Sequence, residues 1–132
     1  MSSDKNMFVF TVNDSGYLLG IAVKAGTTYS QSDLTGNWAF YGLQSSDGAN
    51  MWYRGQGTIT STGSNSFTTW LDSAGSTSIP STTGMVFSIT SSGIITDSAN
   101  ATTHGVMTAD KNLFIMTQTS SGNSRLWIGV KR

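Results

Sequence analysis

Cysteine and glutamate are absent from this 132-residue chain, and proline and histidine occur once each. Without cysteine there is no disulfide and no thiolate metal site, and a single histidine without glutamate predicts no transition-metal centre. Charged residues make up only 11% of the chain, and seven Lys and Arg balance seven acidic residues. Because nucleic-acid-binding proteins carry a basic patch, we predict no nucleic-acid partner.

Long apolar runs are missing as well. No stretch of about 18 apolar residues occurs, so we expect no helical membrane span. The first residues do not resemble a signal peptide, because the apolar run that follows them is too short and is preceded by an acidic residue. A composition rich in Ser, Thr and Gly and poor in Lys is common in exported bacterial proteins. We therefore expect a secreted or cell-surface location, with an export signal upstream of this chain.

Serine and threonine together supply 40 residues, and glycine supplies 15. These residues are poor in helix interiors, and β-rich runs alternate with turn residues about every 8–12 positions. Eight strands are predicted, over residues 37–43, 51–60, 66–71, 85–90, 94–97, 105–109, 113–119 and 125–131. Since eight strands close a small barrel, we predict an all-β, eight-stranded antiparallel up-and-down barrel, with a two-sheet β-sandwich as the alternative.

An internal repeat relates the two ends of the chain. Residues 1–24 and 107–131 share twelve identities when one residue is inserted in the second copy. The identical pairs are Met1/Met107, Asp4/Asp110, Lys5/Lys111, Asn6/Asn112, Phe8/Phe114, Thr11/Thr117, Ser15/Ser121, Gly16/Gly122, Leu19/Leu126, Ile21/Ile128, Val23/Val130 and Lys24/Lys131. Each copy has the sequence of a β-hairpin. The offset is domain-sized, so we interpret residues 1–26 as the tail of a preceding repeat and residues 27–132 as a barrel repeat unit.

The N-terminal hairpin is surplus to the eight predicted strands. An uncovered hairpin is marginally stable in water, so it should dock elsewhere. It could complete a preceding barrel, compete with this chain's own last strands, or pair with a neighbouring molecule. Strand exchange of this kind predicts a homo-oligomer. The Asp-Lys-Asn segments at 4–6 and 110–112 precede the first strand of each hairpin and are predicted to form tight turns.

The segment Leu34-Thr35-Gly36-Asn37-Trp38 stands at the start of the first predicted barrel strand. It resembles the Gly-X-Trp motif that begins the first strand of the calycin barrels, the lipocalins and avidins. The resemblance implies that Trp38 closes one barrel end, that a basic residue of the last strand packs over it by a cation–π contact, and that an apolar ligand cavity exists. The candidate basic residues are Arg125, Lys131 and Arg132. The avidin biotin site does not carry over, because Phe40 replaces a polar ligand-binding residue.

No catalytic residue is predicted. His104 has no fixed partner and is interpreted as a turn residue before the sixth predicted strand, and no Gly-X-Ser-X-Gly elbow occurs. Asp97 is the one acid away from predicted turns, and it lacks the partner that paired-carboxylate chemistry needs. Gly55-Gln56-Gly57 lacks the lysine and helix of a phosphate loop and indicates a bulge or a barrel bend. We therefore expect neither an enzyme nor a cofactor.

Aromatic residues of the first three predicted strands are the candidate ligand contacts: Tyr41, Trp52, Tyr53 and Trp70. Arg54, the only charge in these strands, lies beside them and is the fifth candidate contact; the alternative, which we favour, is a solvated strand residue. Strand alternation places Trp52 and Tyr53 on opposite faces of the sheet, so one of them should be exposed, where it suits stacking on a sugar or a protein.

Two functions follow as expectations. The first is a non-catalytic structural or adhesive repeat of an exported, surface-bound bacterial protein. The alternative is a calycin-type barrel that binds a small molecule or a carbohydrate. A fully packed interior would favour the first function, whereas a pocket of about 300 Å³ or more would favour the second.

Overall fold

A computed structural model describes residues 7–13, 17–45, 50–82, 85–120 and 122–132. The chain is all-β in these ranges, as predicted, and no helix within them is long and apolar enough to cross a membrane. The elements are β1 (Met7–Asn13), β2 (Tyr17–Val23), α1 (Gln31–Leu34), β3 (Gly36–Ser45), β4 (Met51–Ile59), β5 (Asn65–Asp72), β6 (Phe87–Ile89), β7 (Ile94–Asp97), β8 (Asn100–Met107), β9 (Leu113–Ser120) and β10 (Asn123–Lys131).

Strands β3 to β10 form one antiparallel sheet in the order β5-β4-β3-β10-β9-β8-β7-β6. Apart from β5 and β6, strands that follow each other in sequence are paired, and the first and last strands of this meander, β3 and β10, pair with each other. The sheet therefore curls into an open barrel whose edges are β5 and β6. This up-and-down arrangement confirms the predicted fold class.

A seam separates β5 from β6. The antiparallel bridge between Ser64 and Val86 joins the two edges, and Phe87 N donates a hydrogen bond of 2.9 Å to Gly63 O. Beyond this bridge, the described residues give β5 no strand partner on that side. Residues 73–82 follow β5 as a turn and loop, and the last of them line one end of the barrel.

Seven of the eight predicted strands match the structure within two residues at each end. The exception is β8, which begins at Asn100, five residues before the predicted start. His104 therefore lies inside a strand, paired with Thr117 of β9, and its prediction as a turn residue was wrong. The reason is that the run Asn100–His104 is polar, although Thr103 alternates into the barrel and is buried. The helical turn α1 was not predicted.

Two local predictions are confirmed. The register between β4 and β5 shifts between Gln56 and Gly57, which is the bulge expected at Gly55-Gln56-Gly57. The turn at 110–112 is present: Lys111 adopts a φ of 61°, and Asp110 Oδ1 accepts a hydrogen bond of 3.2 Å from Asn112 N. The equivalent residues Asp4, Lys5 and Asn6 lie outside the described ranges.

One end of the barrel, which we call the closed end, is filled by large side chains. Six of them are at most 1% exposed: Leu34, Trp38, Phe40, Ile59, Met107 and Phe114. Full burial of one such side chain stabilises the fold by about 1.5–3 kcal/mol. Trp38 Nε1 donates a hydrogen bond of 2.8 Å to Leu34 O, so α1 covers this end.

A basic residue of the last strand packs over Trp38, as the calycin resemblance implies. Lys131 Nζ lies 5.5 Å from the centroid of the Trp38 ring and donates a hydrogen bond of 2.9 Å to Asp33 O. The contact belongs to Lys131, which pairs with Trp38 across the strands. It does not belong to Arg125, which lies six residues earlier on β10 and contacts other partners.

The N-terminal strands β1 and β2 form a separate two-stranded sheet. Its register equals that of β9–β10 at the positions aligned by the sequence repeat: Met7↔Val23 corresponds to Leu113↔Val130, and Thr11↔Leu19 corresponds to Thr117↔Leu126. The described strands of the two copies thus pair in the same register. The first copy lies against the outside of the barrel, where Leu19 shares a cleft with residues of β3, β4, β9 and β10.

Candidate functional site

The barrel end away from Trp38 contains a cavity of about 290 Å³, which we call the mouth. Its walls are inward-facing residues of β3, β4, β5, β9 and β10, together with residues 80–82, 85, 97, 99 and 100. A cavity of this volume is near the lower bound for pockets that hold small molecules. The chain therefore combines a packed closed end with an unfilled mouth.

Four aromatic side chains form the floor of the mouth: Tyr53, Phe67, Trp70 and Trp127. Tyr53 and Trp70 are stacked, with ring centroids 5.0 Å apart and an interplanar angle of 18°. The ring centroids of Trp127 and Tyr53 are 4.4 Å apart. Such pairs add about 0.5–1.5 kcal/mol beyond the burial of their area. The rings hold one another in place and present an apolar surface to the cavity.

A polar network around Arg125 lines the mouth beside this floor. Arg125 Nε donates a hydrogen bond of 2.8 Å to Gln44 Oε1, and a second guanidinium nitrogen donates one of 3.0 Å to Gln118 Oε1. Both acceptors are neutral amides, and no carboxylate of the described residues forms an ion pair with Arg125. The guanidinium is therefore fixed in position by neutral partners, and no carboxylate of the described residues bonds directly to it.

Asp97 is the carboxylate that lines the mouth. Its Oδ1 accepts hydrogen bonds from the backbone N–H groups of Val86 (3.2 Å) and Ala99 (3.0 Å). These bonds hold the start of β6 against the turn between β7 and β8. Asp97 thus has a structural role at the rim, independent of any ligand.

The hydroxyl of Tyr53 is buried and has no hydrogen-bond partner among the described residues. Burial raises the pKa of this hydroxyl above its usual range, and the nearby Arg125 offsets part of the effect. The group is therefore a neutral donor at physiological pH. A buried polar group without a partner costs about 1–3 kcal/mol, so this hydroxyl, which lies over the backbone of Gly42, lowers the stability of the floor.

The five predicted ligand contacts fall on two sides of the sheet. Tyr53 and Trp70 belong to the mouth, whereas Tyr41 (50% exposed), Trp52 (46% exposed) and Arg54 lie on the outer face of β3 and β4. The prediction that Trp52 and Tyr53 point to opposite faces is confirmed. The outer residues pair across the strands, Tyr41 with Arg54 and Leu43 with Trp52. We call Tyr41, Leu43 and Trp52 the outer stripe.

Sequence reasoning missed the polar part of the mouth. Arg125 was considered only as a partner for Trp38, and Gln44 and Gln118 were not considered. Strand alternation could have found Arg125, because it stands two residues before Trp127 and therefore shares its face. The pairing of Gln44 with Arg125, and of Arg125 with Gln118, depends on the register of three strands, which the sequence did not define.

The mouth offers an aromatic surface, a fixed guanidinium and several amides. Among the described residues, no group of three or more His or Asp side chains is placed to hold a metal ion. His104 is exposed on β8 and does not line the mouth.

Comparison of the chain with protein-family models, with curated proteins and with solved structures finds no match. The similarity to calycin barrels therefore stays a prediction from the sequence. The function is inferred from the geometry of the barrel alone.

Proposed function

We propose that this chain is a non-catalytic binding module that holds a small organic molecule in the mouth of its barrel. The observation that carries the proposal is the contrast between the two barrel ends. The closed end is packed by side chains, whereas the mouth keeps about 290 Å³ above a floor of four aromatic rings. Concave, mainly apolar pockets with a few convergent polar groups are typical of small-molecule sites.

The lining of the mouth indicates a flat ring that carries a carboxylate. A ring can stack on the exposed part of the floor near Trp70 and Trp127. A carboxylate matches the fork of guanidinium donors, and Arg125 has only neutral partners. We therefore propose small aromatic or heteroaromatic carboxylates as the ligand class.

Thermal-shift and calorimetric titrations with benzoate and indole-3-acetate test this proposal, with benzamide, indole-3-acetamide and glucose as neutral probes. A carboxylate present at 100 times its Kd should stabilise the fold by about 2.7 kcal/mol, and each neutral amide should bind at least about tenfold more weakly, since charge-assisted hydrogen bonds are roughly twice as strong as neutral ones. Arg125→Met should remove this preference, whereas Arg54→Met on the outer face should retain it.

Equal binding of carboxylates by wild type and Arg125→Met would contradict the ligand class, and no response to any probe would contradict the site. Binding of glucose alone, unaffected by Arg125→Met, would favour the carbohydrate-binding alternative.

A structural or adhesive repeat is the second candidate, favoured by the matching registers of β1–β2 and β9–β10. In this reading, β1–β2 is the tail of a preceding repeat, and the outer stripe supplies contact with a surface polysaccharide or protein. Trp52→Ser should then reduce adhesion to immobilised polysaccharide at least tenfold, while Arg125→Met leaves it unchanged. The opposite pattern would assign binding to the mouth.

A further inference from the structure

The hairpins β1–β2 and β9–β10 share more than their register. In β9–β10 the ring of Phe114 lies over Gly129, where a Cβ would be 2.3 Å from the ring. In β1–β2 the ring of Phe10 lies over Gly20 in the same way, at 2.2 Å. Both hairpins thus use a glycine to seat an aromatic ring across the strand pair.

The face that β9–β10 buries is the face that β1–β2 exposes. Phe114 and Met116 point into the barrel and are 0% and 3% exposed. Their aligned residues Phe8 and Phe10 are 47% and 41% exposed, and their rings contact each other at 5.8 Å. Among the strands of the described residues, β1 and β2 pair with each other and form a sheet separate from the barrel. β1–β2 therefore carries the apolar face of a hairpin that closes a barrel, but its strands are not paired with the strands of one.

The two hairpins also end at the same place. Lys24 O accepts a hydrogen bond of 3.2 Å from Ala109 N, and Lys131 N donates one of 2.8 Å to Asn112 O, so both chains reach the 108–112 turn. Lys24 aligns with Lys131, the residue over Trp38. Residues 24–35 then lead into β3, the strand beside β10. A short linker of this kind gives the hairpin a high effective concentration at that position.

We propose that β1–β2 is a second closing hairpin that binds between β8 and β3 of its own barrel, in the position of β9–β10. The aligned register places Phe8 opposite Met107, Val12 opposite Thr103 and Val23 opposite Ala39. The barrel can then close in two ways. In the observed closure β3 pairs with β10, and in the proposed one β1 pairs with β8. The first is favoured, because Trp127 packs on Tyr53 where β2 carries Gly20. The proposal does not rest on the ligand proposed for the mouth.

Disulfide trapping in the full chain tests this closure, and the absence of native cysteine makes the result unambiguous. Val12→Cys with Thr103→Cys should form a bond only when β1 lies beside β8, since paired strands bring Cα atoms to about 4.5–5.5 Å. Gln118→Cys with Thr103→Cys is the positive control, because these two residues pair in the observed structure, where β9 lies beside β8. Val12→Cys with Asn65→Cys is the negative control, because Asn65 lies on β5, across the barrel from the position between β8 and β3.

Each variant is refolded in a glutathione redox buffer and mapped by peptide mass spectrometry and non-reducing gels. We expect the intramolecular 12–103 bond at ten or more times the yield of the 12–65 bond, and a higher yield when Trp127→Gly weakens the resident hairpin. A 12–103 yield equal to the negative control, while the 118–103 bond forms, overturns the proposal. A 12–103 bond confined to disulfide-linked dimers also overturns it, because the position between β8 and β3 would then belong to a second copy.

Discussion

On the inner face of the barrel, glycines on one strand pair with large aromatic residues on the next. Gly42 of β3 pairs with Tyr53 of β4, and Gly129 of β10 pairs with Phe114 of β9. In each case the ring lies across the backbone of the glycine, so a side chain there would displace it. The floor of the mouth depends on this arrangement, because Tyr53 reaches Trp127 only by crossing Gly42.

Gly42→Ala should therefore destabilise the barrel. A Cβ at this position would lie 1.9 Å from the Tyr53 ring, and forced overpacking of a core costs about 1–3 kcal/mol. Urea unfolding measures the loss, with Ser45→Ala on the exposed face of the same strand as the control. Equal stability of Gly42→Ala and wild type would contradict the packing described for the floor.

Lys131→Ala should lower the free energy of unfolding by about 1–2 kcal/mol, since it removes a hydrogen bond to Asp33 O and a cation–π contact with Trp38. Arg132→Ala is the matched control: its side chain is exposed, and only its backbone N–H bonds to Asn37 O. Denaturant unfolding of both variants compares the two residues. A larger loss of unfolding free energy for Arg132→Ala would show that the contact over Trp38 is not made by Lys131.

Sequence alone predicted the faces of adjacent residues better than their partners. Strand alternation was sufficient to place Trp52 and Tyr53 on opposite faces of the sheet. It was insufficient to choose among Arg125, Lys131 and Arg132 as the partner of Trp38, because that choice depends on the register between the first and last strands of the barrel. The register is set by contacts between segments as far apart in the chain as residues 38 and 131, which no local pattern encodes.

The short element α1 closes one barrel end with help from charge. Asp33 forms an ion pair of 3.0 Å with Lys111, and its carboxylate accepts a hydrogen bond of 2.8 Å from Ser30 N. Partial burial raises the pKa of Asp33, but the bonds to Lys111 and Ser30 outweigh it and hold the pKa below its usual range. The element is therefore stabilised by the ionised form of Asp33.

Asp33→Asn should consequently change the dependence of stability on pH. The unfolded-state pKa of Asp is about 3.9, and the folded-state pKa is lower, so the contribution of Asp33 is present above about pH 4 and is lost as the pH falls further. Because the pair is partly exposed, the difference at pH 7 should be at most about 1 kcal/mol. Urea unfolding of both proteins at pH 7 and pH 3 checks this, and an undiminished difference at pH 3 would contradict it.

Strands rich in threonine were the hardest elements to predict. The first half of β8 contains no large apolar residue, yet Thr103 alternates into the barrel between exposed Thr102 and His104. Its hydrogen bonds to β9 fix it as a strand. The single turn of α1 was missed for the opposite reason: its stability comes from Leu34 and Trp38 in the barrel end, and a four-residue helix has almost no sequence signal of its own.

At the scale of the whole molecule, the barrel and the extra hairpin are separate sheets. Removal of residues 1–23 should therefore leave a barrel that unfolds cooperatively, with a free energy within about 1 kcal/mol of the full chain. Circular dichroism and urea unfolding measure the result. Loss of cooperative unfolding would show that the barrel needs β1–β2, in contradiction to the strand pairing described.

Fold class and hairpin were predictable because repeats, turns and alternation are local patterns. The mouth was not, since aromatic residues occur along the whole sheet and the sequence does not say which end they fill. Leu34, Trp38 and Lys131 fill one end only because α1 folds over it. The other end stays open because residues 80–82 line it from the side.

The seam between β5 and β6 gives this fold a place to vary. Residues 73–82 cross the gap without belonging to a strand ladder, so a longer or shorter segment would reshape the rim while every paired strand stayed in position. Loops of this kind tolerate insertion at little thermodynamic cost. Variation in the size and shape of the mouth, in nature or by library design, can therefore proceed at this one segment while the paired strands stay unchanged.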